Sequence, residues 1–201
     1  MKDSVALVGV RRLGLFGGTF DPVHCGHLLA ARAAIEELEL ERLFFIPAAQ
    51  SPFKAERPPL APAAERLRLL RLALAGQTDC EVDDREVRRG GISYTVETLR
   101  EYARRFPGAE LFYLVGADHV RTLPRWKEAE EVARRARFVA LMRPGEPPPE
   151  FPPPFQGVSL TGFPLGVSSS LIRARVRAGK PLDGLVPAPV AEAIREARLY
   201  L

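Results

Sequence analysis

The stretch LFGGTFDPVHCGHL, Leu15 to Leu28, holds two of the chain's three histidines, His24 and His27, three residues apart and just after a Gly-Gly pair. An apolar run of strand length ends at Gly17-Gly18, and a run of helical pattern, GHLLAARAAIEEL, begins near Gly26. Glycines lack a Cβ, so backbone there can approach a ligand closely, and the N–H groups at a helix start attract negative charge. The pattern therefore predicts an anion site between a strand and a helix. It is not a Walker A loop, because no G-K-[ST] follows, nor the G-x-G-x-x-G dinucleotide fingerprint. His24 just before the helix and His27 in its first turn can both turn ring N–H groups toward such an anion. The same residues admit a helix-capping histidine beside a buried one, or half of a metal site, for which His119 is the one remaining histidine.

Outward from this stretch, strand-length apolar runs alternate with helical patterns. RLGLF precedes the opening helix, RLFFIP precedes AAERLRLLRLALAG, CEVDD precedes SYTVETLREYARRF, and ELFYLV and RFVALM follow. Such alternation predicts an α/β protein with a doubly wound, mostly parallel sheet, helices on both faces and ligands bound beyond the carboxyl ends of the strands. PAAQSPFKAERPPLAP and RPGEPPPEFPPPFQG interrupt the pattern. Six prolines between Pro147 and Pro154 make the second a surface excursion rather than helix or central strand. We expect one domain over residues 1–201, with C-terminal helices over about 166–201.

Composition narrows the function classes. The 201 residues carry 29 basic and 25 acidic side chains, a net charge of +4, with arginines scattered among glutamates. No basic block interleaved with aromatics supports a nucleic-acid partner, whereas small anionic substrates suit the mild excess of charge. Cys25 and Cys80 fit neither a disulfide framework nor a structural zinc site, and no run is long enough for a membrane span. A cytoplasmic protein with no membrane partner is expected, and its oligomeric state, a homo-oligomer included, stays open.

GGTFDPVHCGH resembles the G-G-T-F-D-P-x-H-x-G-H signature of the H-x-G-H nucleotidyltransferases, and VSSSLIRARV is similar to their I-S-S-T-x-I-R motif. DDREVRRGGISYTVETL, LVGADHVRTLPRWK and FVALMRPG are similar to stretches of the bacterial nicotinate mononucleotide adenylyltransferase family. The resemblance runs from about Leu13 to LVPAPVAEAIREARLY. It implies a Rossmann-like fold and transfer of the adenylyl group of ATP, with Mg²⁺, to nicotinate mononucleotide in NAD biosynthesis. Catalytic roles would fall to His24, His27, Lys54 and Arg173. ATP would be held by Gly17, Gly18, Thr19, Phe20, Gly116, Asp118, Ser168, Ser169 and Ser170, and the mononucleotide by Asp21, Thr95, Trp126 and Lys127, with no metal ligand in the protein. Phe53 stands where the family often has histidine, and Ser170 where threonine is usual.

Read without the resemblance, several of these residues have plainer uses. Ser168 to Ser170 make an N-cap run, Arg173 a solvated helix residue, Trp126 a core aromatic, Asp118 a helix cap, Thr95 a helix-start residue and Asp21 a turn former. Pantetheine-phosphate adenylyltransferase would share both phosphate motifs, although SYTVETL and LPRWK argue against it. A nucleotide-binding module without chemistry is the alternative outside enzymes, disfavoured by the presence of both histidines and Arg173.

Overall fold

A computed structural model describes residues 9–52, 58–142, 145–162 and 165–201. The expectations for Phe53 and Lys54 lie outside the described residues. Along the chain come β1 (Arg12–Gly18), α1 (Cys25–Glu37), β2 (Arg42–Pro47), α2 (Ala63–Ala73), β3 (Cys80–Val82), α3 (Arg85–Arg89), α4 (Thr95–Arg105) and β4 (Glu110–Gly116). These are followed by α5 (Ala117–Val120), a 3₁₀ turn (Leu123–Arg125), α6 (Ala129–Arg135), β5 (Arg137–Leu141), β6 (Gly157–Ser159), α7 (Ser169–Arg177) and α8 (Ala188–Glu196). The strands form one sheet in the order β3-β2-β1-β4-β5-β6, and every pairing is parallel.

The strands read as continuous apolar runs because both faces of the sheet are covered, the usual condition of a parallel sheet. Period-two alternation sends Leu13, Leu15, Phe44, Ile46, Leu111 and Tyr113 into one core with Val96, Leu99 and Tyr102 of α4 and Val132 of α6. Phe16, Leu43, Phe45, Phe112 and Leu114 enter the other, against Ala31 and Ala34 of α1, Leu69 and Leu70 of α2, Ile172 of α7 and Ile194 of α8. The doubly wound expectation holds, and the sheet is wholly parallel rather than mostly so.

The proline-rich excursion ends in a strand that its composition hides. Phe138 donates its N–H to Gln156 O at 2.9 Å, and β6 pairs with β5 from Phe138↔Gly157 onward. Gly157 is required there: a Cβ would meet the Phe151 ring at 2.4 Å. Between β1 and β4 the strand order reverses, so the loops leaving Gly18 and Gly116 diverge and open a crevice beyond the carboxyl ends of the strands.

Candidate active site

The strand β1 delivers the chain to this crevice, and His24 starts the helix that leaves it. His24 is the N-cap of α1, in extended conformation, and its N–H donates to Nδ1 of His27 at 3.2 Å. His27 is thereby fixed as the tautomer with its proton on Nε2. The two rings stack with centroids 3.7 Å apart. The intervening Gly26 permits this, because a Cβ would lie 3.1 Å from His24 Nδ1 and 2.9 Å from Val167 Cγ1. Burial disfavours the imidazolium and pushes His24 down to about 4; burial and then the neighbouring His24 hold His27 well below the ordinary histidine range. Both rings are neutral at neutral pH in the free protein. As neutral rings they offer N–H dipoles to a ligand rather than positive charge. His24 Nδ1 is buried with no hydrogen-bond partner, the kind of open polar atom that calls for an explanation.

The glycines before them pack against the protein's own side chains. A Cβ on Gly17 would sit 2.1 Å from the Tyr113 hydroxyl, and one on Gly18 2.9 Å from the Phe20 ring. Close packing of the protein's own aromatics already requires glycine at both positions. Phe20, expected at ATP, is 2 % exposed at φ 49°, its ring edge-on to Phe16 and His27, so only its backbone can meet a ligand. Asp21, expected at the mononucleotide, is also spoken for. Its carboxylate accepts from Leu60 N (2.9 Å), Ala61 N (3.1 Å) and the Tyr200 hydroxyl (2.9 Å). These three bonds brace the loop.

The second phosphate motif folds onto the first. Arg173 Nη1 donates to Asp21 O at 2.7 Å and Ser169 Oγ to Pro22 O at 2.8 Å, across sequence separations of 152 and 147 residues. Ser170 Oγ accepts from Arg173 Nη2 at 3.1 Å, and Ser168 is the N-cap of α7, its hydroxyl accepting from Leu171 N. Ser168 therefore has the plain capping role. Arg173 spends two of its five donors on these bonds, which aim its planar fork beside the start of α1.

On the other side of the crevice, Gly116 is the N-cap of α5 and a Cβ there would meet Asp118 Oδ1 at 2.6 Å. Asp118 is thus inside the short helix rather than its cap, and it is exposed. Thr95 opens α4 and its Oγ1 donates to the Tyr113 hydroxyl at 3.3 Å. Trp126 stands edge-on to Tyr113 (5.9 Å) and Phe138 (6.0 Å), half-buried at the rim of the core. Since Leu15 pairs with Tyr113, this aromatic group lies beside Gly17. Lys127 is exposed, paired with Glu97 at 3.3 Å and seated over the Tyr94 ring at 4.1 Å.

Sequence reasoning missed three residues that hold these parts together. Tyr113 links Gly17, Thr95 and Trp126. Tyr200, after α8, reaches Asp21. Arg66 of α2 is 1 % exposed and donates to Thr19 O (2.6 Å) and Ala49 O (3.3 Å). Its signal was present, since Arg66 shares the helical stripe of buried Leu69, Leu70 and Ala73, where an arginine without a partner would be prohibitively costly. Among the described residues no group of three or more His, Cys, Asp or Glu is placed to hold a metal ion.

A wholly parallel sheet in this order, with H-x-G-H at the carboxyl end of β1 and S-S-S-x-x-R docked on the same loop, defines a nucleotidyltransferase. The family profile of cytidylyltransferase-like proteins matches residues 15–175. A Thermus thermophilus protein described as "Probable nicotinate-nucleotide adenylyltransferase" is 45 % identical over 189 residues, covering 94 % of this chain and 99 % of that protein. One of the same description from Chromobacterium violaceum is 40 % identical over 209 residues, covering 94 % and 98 %. The solved nicotinic acid mononucleotide adenylyltransferase of Plasmodium falciparum, in complex with NaAD, is similar in fold, with a TM-score of 0.75 at 15 % identity over 94 % of this chain and 97 % of that one. The chain belongs to the cytidylyltransferase-like family and, within it, to the nicotinate-nucleotide adenylyltransferases.

Proposed function

We propose that this protein joins ATP and nicotinate mononucleotide to give nicotinate adenine dinucleotide and pyrophosphate, a step of NAD biosynthesis. The observation that carries the mechanism is the docking of Arg173 and Ser169 on Asp21 and Pro22, which gathers the starts of α1 and α7 at one crevice edge. The triphosphate of ATP lies there, with His24 and His27 donating N–H bonds and Arg173 supplying fixed positive charge. Ser169 and Ser170 complete the α7 side, and Lys54 adds charge from the segment after β2. Mg²⁺ arrives on the triphosphate oxygens as part of the nucleotide. Asp118, beyond β4, meets a ribose hydroxyl, and the nicotinate ring stacks on Trp126 near Thr95.

The acceptor's 5′-phosphate attacks the α-phosphorus in line and pyrophosphate leaves. A phosphate monoester, with a second pKa of about 6, is already largely dianionic at neutral pH, so no protein base is needed. What the site supplies is alignment and stabilisation of charge as it moves onto the leaving pyrophosphate. Neutral histidines suit this, because a preformed N–H dipole in a dry site stabilises developing charge without reorganisation. Pyrophosphate release from ATP, measured against a panel of acceptor mononucleotides, tests the reading. Release dependent on nicotinate mononucleotide is expected. Equal release with phosphopantetheine, or none with any acceptor, would overturn it.

A further inference from the structure

Behind the phosphate loop lies a group of buried polar side chains that touches neither substrate in the proposed arrangement. Arg66 bridges Thr19 O, three residues before the cis-linked Pro22 and just after the glycine pair, and Ala49 O, two residues past the end of β2 on the way toward Lys54. Ala49 is held again through its N–H, which donates to Ser93 Oγ at 3.1 Å. Asp21 accepts from Tyr200 and from Leu60 and Ala61, on the far side of that same segment. The carboxylate also acts on the charge of Arg66, offsetting part of what its burial costs. Arg66 Nε is buried with no hydrogen-bond partner.

A buried guanidinium whose Nε–H is left open is expensive to keep, and an apolar side chain of similar volume would pack the stripe of α2 at lower cost. What the guanidinium provides is a rigid planar fork whose arms set the spacing of two loops. One loop carries the H-x-G-H residues, and the other leads into the segment that carries Lys54. We propose that Arg66, Asp21 and Tyr200 form a positioning unit that fixes the separation of these two loops, and through it the fit of the ATP triphosphate. The proposal rests on the assignment of Thr19 to His27 to the triphosphate. The acceptor side is tied to β4 through Tyr113 and lies outside the unit.

The test uses ATP affinity by calorimetry, which needs no turnover, together with the KM for nicotinate mononucleotide and the thermal midpoint. Lysine in Arg66→Lys keeps the charge but carries all its donors on one nitrogen, so it loses the fork that spans Thr19 O and Ala49 O. It is expected to weaken ATP binding about tenfold or more, the scale of a misplaced preorganised group, while the acceptor KM stays within about twofold. Arg68→Lys, at an exposed position of the same helix, serves as the control and is expected to bind ATP as the wild type does. A folded Arg66→Lys protein with wild-type ATP affinity would overturn the proposal and leave Arg66 a purely structural residue. If that variant does not fold, Tyr200→Phe decides. Loss of one hydroxyl from Asp21 is expected to weaken ATP binding about threefold, and unchanged affinity would overturn the proposal. A wild-type protein that binds ATP but releases no pyrophosphate would defeat the proposed reaction while leaving this inference to the affinity measurements.

Discussion

The two ends of the crevice are built on different principles. The phosphate end is interlocked by hydrogen bonds from distant parts of the chain: Arg173 and Ser169 from α7, Tyr200 from beyond α8 and Arg66 from α2 all converge on residues 19–22. The end assigned to the acceptor is a stack of rings, Tyr113 against Trp126 and Trp126 against Phe138, with one exposed lysine paired to Glu97. Charge development on phosphate requires donors that do not move during the reaction, and cross-braced backbone supplies that. An aromatic ring needs only a flat face and a few directional bonds. The difference implies that changes at the phosphate end should impair ATP use and turnover, whereas changes at the ring end should impair use of the acceptor.

The largest effect should come from the histidines. His24→Ala and His27→Ala are expected to lower turnover about a hundredfold or more, the scale of losing one preorganised donor, with acceptor KM little changed. Steady-state pyrophosphate release checks this, and wild-type turnover in both variants would break the comparison. Next comes the ring end. In the proposed site, donors near Thr95 and Lys127 would favour the carboxylate of nicotinate over the amide of nicotinamide, because the amide N–H₂ would leave those donors unpaired. A preference of about a hundredfold in kcat/KM is expected for the wild type. Trp126→Ala should weaken both acceptors by about tenfold while leaving ATP affinity nearly unchanged. A main defect in ATP binding would show that the two ends are not separate.

Arg173→Lys sharpens the contrast. It keeps a charge but loses the fork that holds Asp21 O and Ser170 Oγ, so kcat/KM for ATP should fall about fivefold to tenfold. Arg177→Lys, exposed on the same helix, should change little, and an equal loss there would indicate a general charge effect.

The smallest effect concerns stability and acid. His24 is neutral in the fold with its pKa pushed down to about 4, whereas in the unfolded chain it lies near 6.5. Above pH 6.5 neither state binds the proton and the group contributes no pH dependence. As pH falls from 6.5 to 4 the unfolded chain is protonated first, so stability falls, and the loss is complete below about 4. By pH 5.5 His24 alone should account for roughly 1 kcal/mol, or about 2–4 °C in Tm. Melting curves from pH 7 to 5.5 should be flatter for His24→Gln than for the wild type.

Much of this design could be read from the sequence because it is local. Alternating apolar runs gave the parallel sheet, and the stretch around His24, Gly26 and His27 was legible as a strand-to-helix junction. What escaped depends on contacts distant in sequence. Nothing near Asp21 shows that its carboxylate meets Leu60, Ala61 and Tyr200, and nothing near Gly17 shows the Tyr113 hydroxyl in the place of its Cβ. The strand at Gly157–Ser159 was concealed by the prolines before it, since three residues are too few to show a period. Arg66 was the exception: its place on an apolar helical stripe was legible, and so was the need for buried partners.

In the proposed mechanism the phosphate end aligns and polarises but forms no covalent bond to the nucleotide. The stereochemical course at the α-phosphorus tests it most directly, using ATP made chiral there by sulfur substitution. A single in-line displacement predicts inversion in the dinucleotide product. Retention would mean two displacements and an adenylyl group carried on the protein, with His24 or His27 as nucleophile, and would contradict direct transfer.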